Sequence, residues 1–141
     1  MRRFAPILFL VLAVATAASA GTVVVGFRTP SGNIGCEYAS GFTTLQGPSL
    51  RCDIRSRLKP LPPKPNGCDL DWGDSYEMRT TGRAYVVCHG DTAIDPRNRV
   101  VRYGQTWSRT GFTCVSKAIG LRCTNRSGHG FFLSRRHSYR F

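Results

Sequence analysis

Phe112-Thr113-Cys114-Val115-Ser116-Lys117-Ala118-Ile119-Gly120-Leu121-Arg122-Cys123-Thr124 is the stretch that decides the fold. Two strand-like arms, Phe112 to Val115 and Leu121 to Thr124, flank a turn-like segment that ends in glycine. Each arm carries one cysteine, so a hairpin here sets Cys114 beside Cys123. The same plan recurs upstream on a larger scale. Asn33-Ile34-Gly35-Cys36-Glu37-Tyr38 and Leu50-Arg51-Cys52-Asp53-Ile54 flank a loop rich in glycine, threonine and serine, which pairs Cys36 with Cys52. Cys68 and Cys88 are left for each other. Sequential pairing follows, each bridge closing a loop of roughly 10 to 20 residues and contributing about 3 kcal/mol in the chain-entropy picture. Zinc is a poor rival: no C-x₂₋₄-C pair occurs, and structural zinc sites draw two ligands from one tight turn.

The rest of the chain also reads as strands. Thr22-Val23-Val24-Val25-Gly26-Phe27-Arg28 is rich in β-branched residues and ends at the turn signal Pro30-Ser31-Gly32-Asn33. Arg83-Ala84-Tyr85-Val86-Val87-Cys88-His89 has apolar residues on both faces, the pattern of a central strand. The run from Arg99 to Trp107 predicts a strand pair broken at Gly104, with Val101, Tyr103, Gln105 and Trp107 sharing one face. Phe131-Phe132-Leu133-Ser134 follows, and His137 to Phe141 is placed to close a sheet. Between the hairpins, residues 59–67 hold four prolines in six positions, from Pro60 to Pro65, and read as a stiff connector. Gly41-Phe42-Thr43 and Leu50-Arg51-Cys52 recur as Gly111-Phe112-Thr113 and Leu121-Arg122-Cys123, an echo consistent with duplicated hairpins or with chance. The expected fold is mainly β: a small disulfide-stapled antiparallel sandwich or partly open barrel.

Residues 1–20 have the features of a secretory signal. Arg2 and Arg3 precede an apolar run from Ile7 to Ala15, and Ala18-Ser19-Ala20 offers the small-x-small cleavage pattern. The apolar run is too short to cross a bilayer as a stable helix. A single mature domain over residues 21–141 is expected, secreted, periplasmic or associated with the cell envelope. An even cysteine count fits such an oxidising compartment.

Loss of Arg2 and Arg3 would lower the formal charge from +12 to +10. Residues 21–95 balance eight basic side chains with eight acidic ones, whereas residues 96–141 hold ten basic and no acidic side chain. Such one-sided charge suits an anionic partner: a surface polymer, an acidic lipid or protein surface, or nucleic acid. Arg97, Arg99, Arg102, Arg109, Arg122 and Arg126 are the expected anion contacts; Tyr103 and Trp107 read first as ordinary core on period-2 strands and second as stacking surfaces beside them. Asp69, Asp71 and Asp74 form the one acidic cluster. They lack the order of a calcium loop and are free to meet the basic third.

These segments together resemble an uncharacterised family of small secreted bacterial proteins. The likeness rests on Pro30 followed by SGNIGC at residues 31–36, LRCDI at 50–54, CHGDT at 88–92, YGQTW at 103–107, GFTC at 111–114 and GHGF at 128–131. It implies an extracytoplasmic domain of unknown function and carries over no catalytic residue. The residues themselves favour a non-enzymatic binding module that needs no metal or cofactor. One alternative is a small hydrolase such as a ribonuclease, drawing on Glu37, Glu77, His89, His129 and His137. Another is an inhibitor of an acidic protein. No G-x-S-x-G nucleophile pattern is present, and the cysteines are committed to bridges.

Overall fold

A computed structural model describes residues 21–44 and 46–141. The expected signal, residues 1–20, lies outside the described residues. Strands β1 (Val23–Arg28), β2 (Ile34–Ser40), β3 (Ser49–Ile54), β4 (Ser75–Arg79), β5 (Tyr85–Val86) and β6 (Arg99–Val100) build one sheet in the order β5-β4-β3-β2-β1-β6. Strands β7 (Thr106–Arg109), β8 (Phe112–Lys117), β9 (Gly120–Asn125), β10 (Gly130–Leu133) and β11 (Ser138–Arg140) build the second, in the order β11-β10-β9-β8-β7. Every pairing is antiparallel except β1 with β6. The sandwich expectation holds, and neither sheet closes into a barrel.

The chain completes the first sheet before it begins the second. It crosses between them once, at residues 101–105. Seven of the ten cations of residues 96–141 therefore follow the crossing, while Arg97, Arg99 and Arg102 stay with the first sheet or the crossing itself.

Between the sheets, period-2 alternation turns one side of each strand inward. The β8 pattern illustrates this, with Phe112, Cys114 and Ser116 buried and Thr113 and Lys117 exposed. Phe27 stacks on Trp107 at 4.6 Å between ring centroids, Tyr38 meets Phe112 edge-on at 6.0 Å, and Tyr76 lies 5.6 Å from Phe131. Leu50, Ile54, Met78, Leu121 and Leu133 fill the same layer. Burying a side chain of this size contributes about 1.5–3 kcal/mol, so the aromatic and aliphatic contacts are what join the sheets. Trp107 belongs to this core rather than to a stacking surface.

The three disulfides pair in sequence order. Cys36 faces Cys52 across β2 and β3, and Cys114 faces Cys123 across β8 and β9, each with Cα atoms 4.0 Å apart. Cys68–Cys88 joins the segments on either side of β4 and β5, with Cα atoms 5.8 Å apart. No cysteine among the described residues is free.

Two expectations need correction. The apolar run from Arg83 to His89 is not a central strand. Only Tyr85–Val86 pair, at the outer edge of the first sheet. Cys88 is drawn to Cys68, and His89 forms an antiparallel bridge with Asp71 instead of extending the ladder. The run from Arg99 to Trp107 is not one strand pair either. Gly104 takes φ +88° in a turn, which leaves Tyr103 and Gln105 exposed and puts β6 and β7 in different sheets. The strand expected within His137 to Phe141 is present as Ser138–Arg140, the last strand of the second sheet beside β10.

The proline-rich segment lies over the surface outside both sheets. The Trp72 indole donates to the Pro62 carbonyl at 3.1 Å, and the Ser138 amide donates to the Lys59 carbonyl at 2.7 Å. The connector is thereby fastened to both halves.

Candidate functional site

Four connections converge at one end of the sandwich: the β1–β2 turn, the crossing at Tyr103, the β8–β9 tip and the β10–β11 turn. Register places them together, since Leu133 pairs with Leu121 and Ser138, while the Gly104 amide donates to the Ser116 carbonyl. They enclose a cleft of about 770 Å³. Its cations are Lys117, Arg122, Arg135 and Arg136, and no carboxylate lines it. Among the described residues, none of the four has an acidic partner.

The wall beside these cations is aromatic. Arg122, Phe132 and Tyr139 are cross-strand neighbours on β9, β10 and β11, so they form one row on a single face of the sheet. Phe132 lies 5.3 Å from Tyr139 and 5.2 Å from His137, and His137 and Tyr139 stack with planes 7° apart. The Arg122 guanidinium sits 3.8 Å over the Phe141 ring. Gly120 makes the packing possible: a Cβ there would lie 2.5 Å from both the Phe132 ring and the Leu133 carbonyl oxygen. At the opening of the cleft, Ile119 is 73% exposed.

Of the six arginines expected to bind anions, only Arg122 lines this cleft. Arg99 and Arg109 line a smaller depression beside Trp107, and Arg109 and Arg126 line another around the β7–β8 turn. Arg109 also lies 5.1 Å over the Tyr38 ring. Arg97 is already taken up by Asp95, at 2.8 Å, and lies with Arg102 outside these concavities. That pairing lowers the Asp95 pKa and raises that of Arg97. Lys117, Arg135 and Arg136 were not singled out by the sequence. Their signal was a pair of adjacent arginines just after an apolar strand and a lysine at a hairpin tip, both turn positions.

The groups considered for hydrolysis are dispersed. His89 is buried, with Nε2 2.8 Å from Asp74 Oδ1 and Nδ1 2.6 Å from the Asp91 carbonyl oxygen. His129 Nδ1 lies 3.2 Å from the Phe141 carbonyl oxygen, at the opposite end of β10 from His137. Glu37 faces Arg51 across β2 and β3, and burial raises its pKa more than that arginine lowers it. Glu77 faces Tyr85 on β4 and β5. The acidic cluster does not reach the basic third, since Asp74 pairs with His89 instead. Among the described residues, no three histidine, cysteine, aspartate or glutamate side chains gather in a metal-holding group.

The motifs quoted for the resemblance hold structural positions. Asp53, buried at 2% exposure, accepts from Arg51 Nε at 2.8 Å and Nη2 at 2.9 Å, from Thr92 Oγ1 at 3.1 Å and from the Ala93 amide at 2.8 Å. Arg51 also donates to Asp91 at 2.7 Å. Burial opposes the Arg51 charge, but the hydrogen bonds to Asp53 and Asp91 outweigh it and raise its pKa. The bond from Arg51 holds the Asp91 pKa below the ordinary value. LRCDI and CHGDT thus meet through one ionic knot. Gly35 of SGNIGC lets the same loop pass close by, for a Cβ there would lie 2.7 Å from the Ile94 Cα. In GHGF, a Cβ on Gly130 would lie 1.9 Å from the Cys123 carbonyl oxygen.

Searches of curated proteins and of solved structures return no match. The family of unknown function DUF6636 matches residues 6–141, and the chain belongs to that family.

Proposed function

We propose that this is an exported, non-enzymatic binding domain that holds an anionic partner in the cleft at the end of the sandwich. One observation carries the reading. Four cations, Lys117, Arg122, Arg135 and Arg136, face a single concavity that contains no carboxylate. Cations gathered without counter-charge repel one another, and an anionic ligand relieves that repulsion. The disulfides support export, because such bridges persist in oxidising compartments. The dispersed histidines and glutamates favour binding over hydrolysis, as acid–base catalysis requires its groups within reach of one substrate.

Heparin chromatography of the oxidised domain tests the reading. The parent should elute at higher salt than a domain of equal net charge, and the double variant Arg135→Ala, Arg136→Ala should elute well before the parent. Elution of the double variant together with Arg97→Ala, which removes one charge from outside the cleft, would refute the assignment.

A further inference from the structure

We propose, building on the anion-binding reading of the cleft, that its occupant is a nucleotide unit: a base stacked on the His137–Tyr139 wall, with its phosphate held by Arg122, Arg135 and Arg136. The cleft combines two chemistries on adjoining surfaces. Guanidinium groups match phosphate oxygens in geometry as well as charge. Planar side chains, histidine included, accept the face of an unstacked base. Here the Phe132, His137 and Tyr139 rings lie within 5.8 Å of one another, and Tyr139 remains 42% exposed.

The neutral polar groups in the lining argue against an acidic sugar chain, whose many hydroxyls need dedicated hydrogen-bonding partners. The Asn33 side chain is engaged at both ends by Ser56. Ser134 Oγ donates to the His137 carbonyl and accepts from the Arg136 and His137 amides. Thr29 Oγ1 is committed to the backbone of Ile34. The rings, with the Tyr103 and Tyr139 hydroxyls, and the four cationic groups are what the cleft leaves available. Its volume of about 770 Å³ lies in the range of small-ligand sites, enough for roughly one or two nucleotides and too small for a duplex.

A single-stranded nucleic acid and a free nucleoside phosphate share this chemistry, and one titration separates them. Fluorescein-labelled oligo-dT of eight residues is titrated with the oxidised domain and followed by anisotropy, with unlabelled oligo-dT, adenosine triphosphate and a heparin octasaccharide as competitors. Tyr139→Leu should weaken oligo-dT binding about tenfold, whereas Tyr85→Leu, on the edge of the other sheet, should leave it unchanged. With one or two phosphates neutralised in the cleft, log K should fall with log salt at a slope between about −0.7 and −1.4. Competition by adenosine triphosphate at similar concentration identifies a mononucleotide site, and competition by unlabelled oligo-dT alone identifies a strand site; both support the inference. Equal effects of Tyr139→Leu and Tyr85→Leu would overturn it. If the heparin fragment still bound through Arg135 and Arg136 in that case, the anion-binding reading would stand alone. If neither probe bound, both readings would fall.

Discussion

Replacing Asp53 by alanine removes the acceptor on which a buried junction depends. Its carboxylate takes two bonds from Arg51, one from Thr92 and one from the Ala93 amide, and Ala93 is itself buried. Loss of one partner in a buried pair typically costs 3–5 kcal/mol. Arg51 keeps Asp91, which is 81% exposed, so the cost should fall near the lower end, about 3 kcal/mol. Asp53→Asn retains one acceptor oxygen but turns an amide donor toward the guanidinium, and about 2 kcal/mol is expected. The assay is equilibrium urea unfolding of the oxidised protein. With a slope of about 2 kcal/mol per molar, the alanine variant should lose about 1.5 M from its midpoint and the asparagine variant about 1 M. An alanine variant whose midpoint lies within about 0.3 M of the parent at that slope would refute the account of Asp53 as the pin of the 91–94 loop.

Gly120→Ala should cost about 1–3 kcal/mol, because the new methyl must displace the Phe132 ring or the Leu133 carbonyl; an unchanged melting curve would contradict this packing. Replacing Cys114 and Cys123 together by serine opens a nine-residue separation, and thermal unfolding should show a loss of about 2.6 kcal/mol by loop entropy. Acid titration should expose the Asp91 link: its lowered folded pKa gives stability that is present above the unfolded carboxylate value and lost as pH falls through the folded one. Asp91→Asn should therefore be less stable than the parent at pH 6, by under about 1 kcal/mol given its exposure, and should converge with it as pH falls through the lowered folded value.

The hairpins were legible because local pattern decides them. Cys114 and Cys123 sit on arms of matching alternation around a short turn, and nothing distant competes for them. Tyr85 and Val86 were misread for the opposite reason. Their neighbours Cys88 and His89 are claimed by Cys68 and Asp71, partners set by tertiary contact rather than by apolar run length. Trp107 had two readings, and packing against Phe27 selected the interior one. The cleft was scarcely legible. Arg122 was found because it lies in a basic third, but Lys117, Arg135 and Arg136 come to it from separate turns. A linear count of charge locates the basic third and cannot show where the turns converge.

The single passage between the sheets makes the molecule divisible. None of the three cystine links spans residues 101–105, and each lies wholly to one side. A cut between Tyr103 and Gly104 therefore leaves two oxidised fragments, one carrying β1 to β6 with two bridges and the other β7 to β11 with the third. Counted from residue 21, the first carries a net charge of +3 and the second +7, and each presents an unpaired apolar face to the other. Their reassociation constant would report directly the strength of the aromatic seam from Phe27–Trp107 to Tyr76–Phe131. Such a pair is the starting material for a split reporter.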